Sequence, residues 1–210
     1  MMYIVNDVET SGSKLGHHSV LSIGACVITR EKLTLEEYFE KGLVFYREIQ
    51  PTSYKFEIEA MRVGCKHLMC LEELREKDSH YDPTHKDFSP LLVLKHMGKV
   101  CKSPEKATKD FKDWIEEMSQ NQEVEGVTDT VFFDGGYIDL CFGKHLKEPS
   151  PFGWEGLDLD SLYRGYTEKE GASLQELEVP DNRDKTHRAD QDAVFLAQVG
   201  RKLLFDLLEW

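Results

Sequence analysis

Apolar residues cluster in short runs near the start of the chain. Residues 3–8 read as a buried strand ending in Asp-Val-Glu, and residues 20–28 (VLSIGACVI) as a second whose Gly24 permits close backbone approach. Residues 43–49 (LVFYREI) make a third strand, closed by Pro51, and the short links suit an antiparallel meander. Residues 58–68 take helical spacing, with Ile58, Met61 and Val63 available to a core. A polar, His- and Pro-rich stretch, EKDSHYDPTHKDFSP, then reads as a long surface loop. Ser103-Pro104-Glu105 opens a helix, with a capping serine and Pro at its first position. Its apolar stripe is Ala107, Phe111, Trp114, Ile115 and Met118. Residues 128–133 (TDTVFF) read as a fourth strand, 156–159 as a fifth, and about 190–208 as a closing helix. Strands first, then helices interleaved with further strands, predict an α/β fold: a mixed sheet covered by helices.

At 210 residues the chain fits one domain, 1–210, with an insertion or long loop at about 70–100. No apolar run reaches membrane-spanning length and no basic-then-apolar leader is present, so no membrane partner is expected. Five cysteines without framework spacing point to reduced thiols and a cytoplasmic location. The formal net charge of −13 narrows the choice of partners. Proteins that grip long duplexes usually carry a basic face, so this chain either avoids nucleic acid or holds only a short end.

The candidate chemistry lies in acids spread along the whole sequence. Asp7 and Glu9, two apart at a strand end, point to one face. Such facing carboxylates are costly unless a cation or hydrogen bonds compensate, although a polar strand end facing water is the ordinary reading. Thr10, Ser11 and Gly12 follow, small residues whose N–H groups suit an anion. Asp139 follows Gly135-Gly136 in an apolar setting; alone, it reads as a helix-surface or capping aspartate. His187 stands five residues before Asp192, a spacing that leaves it in the loop before the last helix; alone, it reads as structural.

In order, DVETSG, a Gly-rich turn leading to an aspartate, and H-R-A-x-x-D-A resemble the three motifs of the DEDDh branch of the 3′→5′ exonucleases. LSIGACVI and EAMRVG also fit that pattern, which covers residues 3 to about 200. The resemblance implies an RNase H-like mixed five-stranded sheet with helices on both faces. It also implies two divalent ions, Mg²⁺ or Mn²⁺, able to activate a water and stabilise the leaving oxygen. By the same resemblance Asp7 bridges the ions, Glu9 and Asp192 bind one, Asp139 holds the other through waters, and His187 is the general base. Thr10, Ser11, Gly12 and Leu15 would seat the terminal nucleotide, and the partners would be single-stranded DNA or RNA 3′ ends. Two positions depart from the pattern. Asp134 is either a fifth carboxylate near the metals or, the preferred reading, a cap for the following helix, and Ser22 stands where a glutamate is frequent.

The expected activity is release of 5′-mononucleotides, distributive on short substrates, with a homodimer also possible. Rival readings are a non-catalytic nucleic-acid-binding or interaction module on the same fold, and a small-nucleotide phosphohydrolase. Asp158 and Asp160 are read as a strand's solvent side and an N-cap rather than a metal pair. Cys65, His67 and Cys70 lack a regular zinc spacing and a clear fourth ligand, though His80, His85 and His96 are potential donors. Tyr163, Arg164 and Tyr166 could stack on or contact a strand, but packing explains each as well.

Overall fold

Strand β1, Met2–Thr10, is the axis of the structure, a computed structural model describing residues 1–210. It is followed by β2 (Val20–Val27), α1 (Leu35–Glu40), β3 (Val44–Glu48) and α2 (Ile58–Gly64). Next come α3 (Glu72–Lys77), α4 (Pro90–Val100) and α5 (Pro104–Ser119), then β4 (Val124–Thr128) and α6 (Gly136–Cys141). The chain closes with β5 (Leu157–Asp158), α7 (Leu159–Thr167) and α8 (Ala189–Arg201). The sheet order is β3-β2-β1-β4-β5, with β1, β2 and β3 antiparallel and β4 and β5 added parallel to β1. This is the expected mixed five-stranded sheet.

Alternation along β1 sorts its side chains between two cores. Ile4 and Val8 face α5 and α6, packing with Phe45, Phe111, Ile115 and Tyr137. Val5 faces the other way, into a core with Tyr38, Leu159 and the α8 residues Ala193, Val194 and Ala197. Helices therefore cover both faces, and Asp7 and Glu9 share the face of Val5.

Three sequence expectations need correcting. The fourth strand is Val124–Thr128 rather than 128–133; the β-branched and aromatic run after it forms a wide helical turn leading into α6. Its pairing with β1 ends at Val5↔Val127, which leaves the end of β1 without a strand on that side. The polar stretch EKDSHYDPTHKDFSP is largely irregular as expected, but the wider 70–100 region also carries α3 and α4 on either side of it, and Phe88, Val93, Leu94 and Met97 bury themselves against Leu21, Met61, Leu68 and Leu71. Within α2 only Met61 of the three proposed core residues is buried; Ile58 and Val63 are exposed.

Candidate active site

The acids gather where β1 runs past β4. Val8 there has no strand partner for its N–H, and the Asp134 carboxylate takes that place, accepting it at 3.0 Å. Asp134 is buried and caps no helix, contrary to the sequence expectation. Asp7 and Glu9 project from β1 beside it. On the far side stands the first turn of α8 with Asp192, brought in by a close approach to β2. Gly24, the register partner of Asp7, makes that approach possible: a Cβ there would lie 2.0 Å from the Ala189 carbonyl oxygen. Gly64 of α2 closes the site from another direction, its missing Cβ 3.0 Å from a Glu9 carboxylate oxygen.

Asp192 is held by two donors. The backbone N–H of His187 reaches one oxygen at 2.9 Å, and the Arg183 guanidinium the other at 2.7 Å. His187 adopts a left-handed backbone (φ 64°), which turns the loop so that its exposed ring stays beside the acids. Ligand atoms of Glu9, His187 and Asp192 all lie within 4.8 Å of one another.

The electrostatics are those of acids crowded together out of water, with Arg183 the cation that meets Asp192. Burial, then the charges of Glu9, Asp134, Asp192 and Asp129, push the Asp7 carboxyl well above the usual carboxylate range. Burial and the charges of Asp192 and Asp134 do the same to Glu9. Burial raises Asp134 to about 7, despite the opposing hydrogen bond from Val8. Asp192 is also raised by burial, against the pull of Arg183. One Asp7 oxygen, Oδ2, is buried without any hydrogen-bond partner. An orphaned carboxylate oxygen among three other acids is a donor set suited to hard divalent cations.

Asp139 is not brought into this group. It is exposed on α6, whose buried side is taken by Tyr137, Ile138 and Cys141, and it is not among the charges that raise Asp7 or Glu9. It lines instead a groove of about 750 Å³ with Leu15, Phe132, Gly136 and Trp154. Leu15 is exposed there and lies against Gly136. Thr10 and Ser11 are buried. The Ser11 N–H donates to Ser19 and so is not free for an anion, while the Thr10 hydroxyl donates to the Gly12 carbonyl at 2.9 Å. The Gly12 carbonyl also accepts from the Tyr137 hydroxyl at 2.8 Å.

Sequence reasoning missed Arg183, Phe132 and Trp154 as features of this region. It mistook Asp134 because the strand before it was placed four residues too late. The bland readings of the other acids hold in outline: Asp158, not Asp160, caps α7, and Asp160 pairs with Arg164. Tyr163 is buried and stacks on Tyr166. Cys65 is a core residue of the third cluster, so the Cys65-His67-Cys70 zinc grouping does not form.

The topology is that of an RNase H-like fold, with the acid cluster at one end of its central strand. No sequence-family profile matches the chain. Over 165 residues it is 31% identical to the 3′-5′ DNA exonuclease Cap18 of Escherichia coli, spanning 78% of this chain and 68% of that protein. The nuclease domain of 3′hExo, a DEDDh family member bound to rAMP, superposes with a TM-score of 0.66 at 11% identity, covering 99% of this chain and 94% of that one. The zinc-bound E. coli ExoI–ssDNA complex gives 0.60 at 11% identity, over 98% of this chain and 40% of that one. The chain belongs to the family of 3′→5′ exonucleases, is an enzyme of that class, and has the fold of a DEDDh nuclease domain. None of its helices is long and apolar enough to cross a membrane.

Proposed function

We propose that the chain removes 5′-mononucleotides from the 3′ end of single-stranded DNA, with Asp7, Glu9, Asp134 and Asp192 holding two divalent ions, Mg²⁺ or Mn²⁺. The observation that carries this reading is the buried, partnerless Asp7 oxygen amid three further acids. Asp134 takes the part that the motif pattern assigned to Asp139. When bound, the ions supply Lewis-acid stabilisation of charge on the attacked phosphate. His187 takes the proton of the attacking water at its ring, for which an exposed imidazole beside Glu9 and Asp192 is well placed. Asp192, fixed by Arg183 and by the His187 N–H, orients the loop that presents that ring. The groove bounded by Leu15, Phe132 and Trp154 receives the terminal bases, its two aromatic rings offering stacking faces. The similarity to a DNA exonuclease supports DNA over RNA as substrate. The acidity of the chain supports short, distributive engagement with a strand end.

A second reading of His187 is favoured by its closeness to Glu9 and Asp192: the ring is itself a metal ligand. Calorimetric titration with Mn²⁺ separates the two, since His187→Ala lowers affinity only if the ring is a ligand and lowers rate alone if it is the base. The overall proposal is tested with 3′- and 5′-end-labelled DNA and RNA oligonucleotides in Mg²⁺, Mn²⁺ or EDTA. Stepwise loss from the 3′ end is expected with metal, abolished by EDTA and by Asp7→Ala. Equal activity of wild type and Asp7→Ala would defeat the proposal.

A further inference from the structure

The segment bearing α3 and α4 leaves the sheet edge at Cys70 and returns to it at Cys101, and there the two thiols meet. A ligand oxygen of Glu48, the last residue of β3, joins them: the two Sγ atoms and this oxygen all lie within 4.8 Å of one another. None of the three residues belongs to the acid centre.

Each donor is held by its surroundings. The Glu48 carboxylate accepts the Cys70 N–H at 3.0 Å, the Tyr46 hydroxyl at 2.8 Å and the Met69 N–H. The Cys70 carbonyl meets the His96 ring at 3.1 Å. Cys101 ends α4, its N–H donating to Met97 at 3.0 Å, and the next residue, Lys102, bridges to Ile49 at the end of β3. All three donor residues are half-buried and open onto a shallow groove of about 270 Å³, which leaves solvent access on one side.

We propose that Glu48, Cys70 and Cys101 form a site for a thiophilic divalent cation, Zn²⁺ by preference, that clamps both ends of the 70–101 segment to the sheet edge. Two sulfurs and one oxygen select Zn²⁺ over Mg²⁺ or Mn²⁺, whereas the all-carboxylate centre selects the reverse. Three protein ligands leave a fourth tetrahedral position for water from the groove. On binding, each thiol loses its proton to solvent as its sulfur–metal bond forms, and no electrons are exchanged. The cation would also neutralise the Glu48 charge that two thiolates otherwise face.

The test uses the full chain, reduced and stripped of metal, with Co²⁺ as a spectroscopic probe and excess Mg²⁺ present to occupy the acid centre. A thiolate-to-cobalt charge-transfer band should saturate at one equivalent, be displaced by Zn²⁺, and vanish in Cys70→Ser and Cys101→Ser. Glu48→Gln should weaken binding about tenfold or more, the usual scale for disturbing a metal site. Asp7→Asn should keep the band, so the clamp is tested independently of the nuclease assignment. In the wild type, Zn²⁺ should protect Cys70 and Cys101 alone from alkylation, read by peptide mass spectrometry, whether or not the serine variants fold. The proposal is overturned by a wild-type protein without the band, by a band that survives both serine variants, or by a Cys70–Cys101 disulfide forming in the zinc-loaded protein.

Discussion

Asp134 and Asp139 lie five residues apart and could hardly differ more. One is buried at the end of β1, fixed by a backbone N–H and raised to about 7; the other is exposed on the rim of a groove. The same contrast separates two neighbouring regions of the protein. At the acid centre, carboxylates are forced together by packing, with an oxygen left unpaired. At the groove, Leu15, Phe132, Asp139 and Trp154 are exposed to water. On the proposed function, the charge repulsion kept by burial belongs to the cation site, and the exposed acid beside aromatic rings to the path of the strand.

Substitution of the two aspartates is the strongest way to break this contrast. Asp134→Asn keeps an oxygen able to accept the Val8 N–H, so the fold should survive. Its exonuclease rate should fall about a hundredfold or more, equivalent to roughly 3 kcal/mol of transition-state stabilisation. Asp139→Asn should retain most activity. Steady-state rates on an end-labelled oligonucleotide check both, and the reverse pattern would return the role to Asp139.

Gly24→Ala attacks the centre without touching any acid. The added methyl meets the Ala189 carbonyl at 2.0 Å and must drive α8 away from β2. A loss of about 3 kcal/mol in chemical denaturation is expected, at the upper end of overpacking costs. Activity should fall as well, because Asp192 moves with the helix. An alanine variant as stable and active as wild type would mean that the centre tolerates a wider strand–helix gap than described.

The pH dependence of stability separates the regions again. In the metal-free protein Asp134 takes up its proton at about 7, against about 4 in an unfolded chain. Between those values the folded state binds more protons, so stability falls as pH rises. The contribution is complete below about pH 4 and is lost on passing pH 7, at no more than about 1.4 kcal/mol per proton per pH unit. Asp7 and Glu9, raised by the same causes, act in the same direction. Thermal melts in EDTA should therefore show a midpoint that declines from pH 5 to pH 7.5. Asp134→Asn should flatten the decline. Mn²⁺ should offset the decline, since a bound cation replaces the protons.

How much of this was legible in the sequence depended on which interactions were local. Short apolar runs alone gave β1, β2 and β3, and the two-residue period of a strand gave the shared face of Asp7 and Glu9. The role of Gly24 was readable as close backbone approach, though not what approached it. The fourth strand was misplaced because Val131, Phe132 and Phe133 have strand propensity, whereas the preceding VEGVT forms the strand by pairing with β1. That shift made Asp134 look like a cap, while Asp139 was chosen as the motif acid by its Gly-rich turn. Helix α4 was hidden by the polar stretch before it, since its buried residues gain their partners from Leu21 and Met61, far away in sequence. Nothing local announces that Arg183 grips Asp192 from an irregular loop.

The smallest effect concerns the groove itself. Phe132 and Trp154 are each 98% exposed, an unfavourable setting for large rings unless they serve a partner, and both line the space beyond the acid centre. Stacking of a base on one ring contributes about 1–3 kcal/mol. Phe132→Ala or Trp154→Ala should therefore raise KM for a single-stranded oligonucleotide about fivefold or more, at the lower end of that range, with kcat nearly unchanged. Neither change should affect hydrolysis of a small chromogenic phosphodiester, which does not reach the rings. A fall in kcat on both substrates would place the rings in the acid centre's own support. An unchanged KM would take the strand's path away from this groove while leaving the acids where they are.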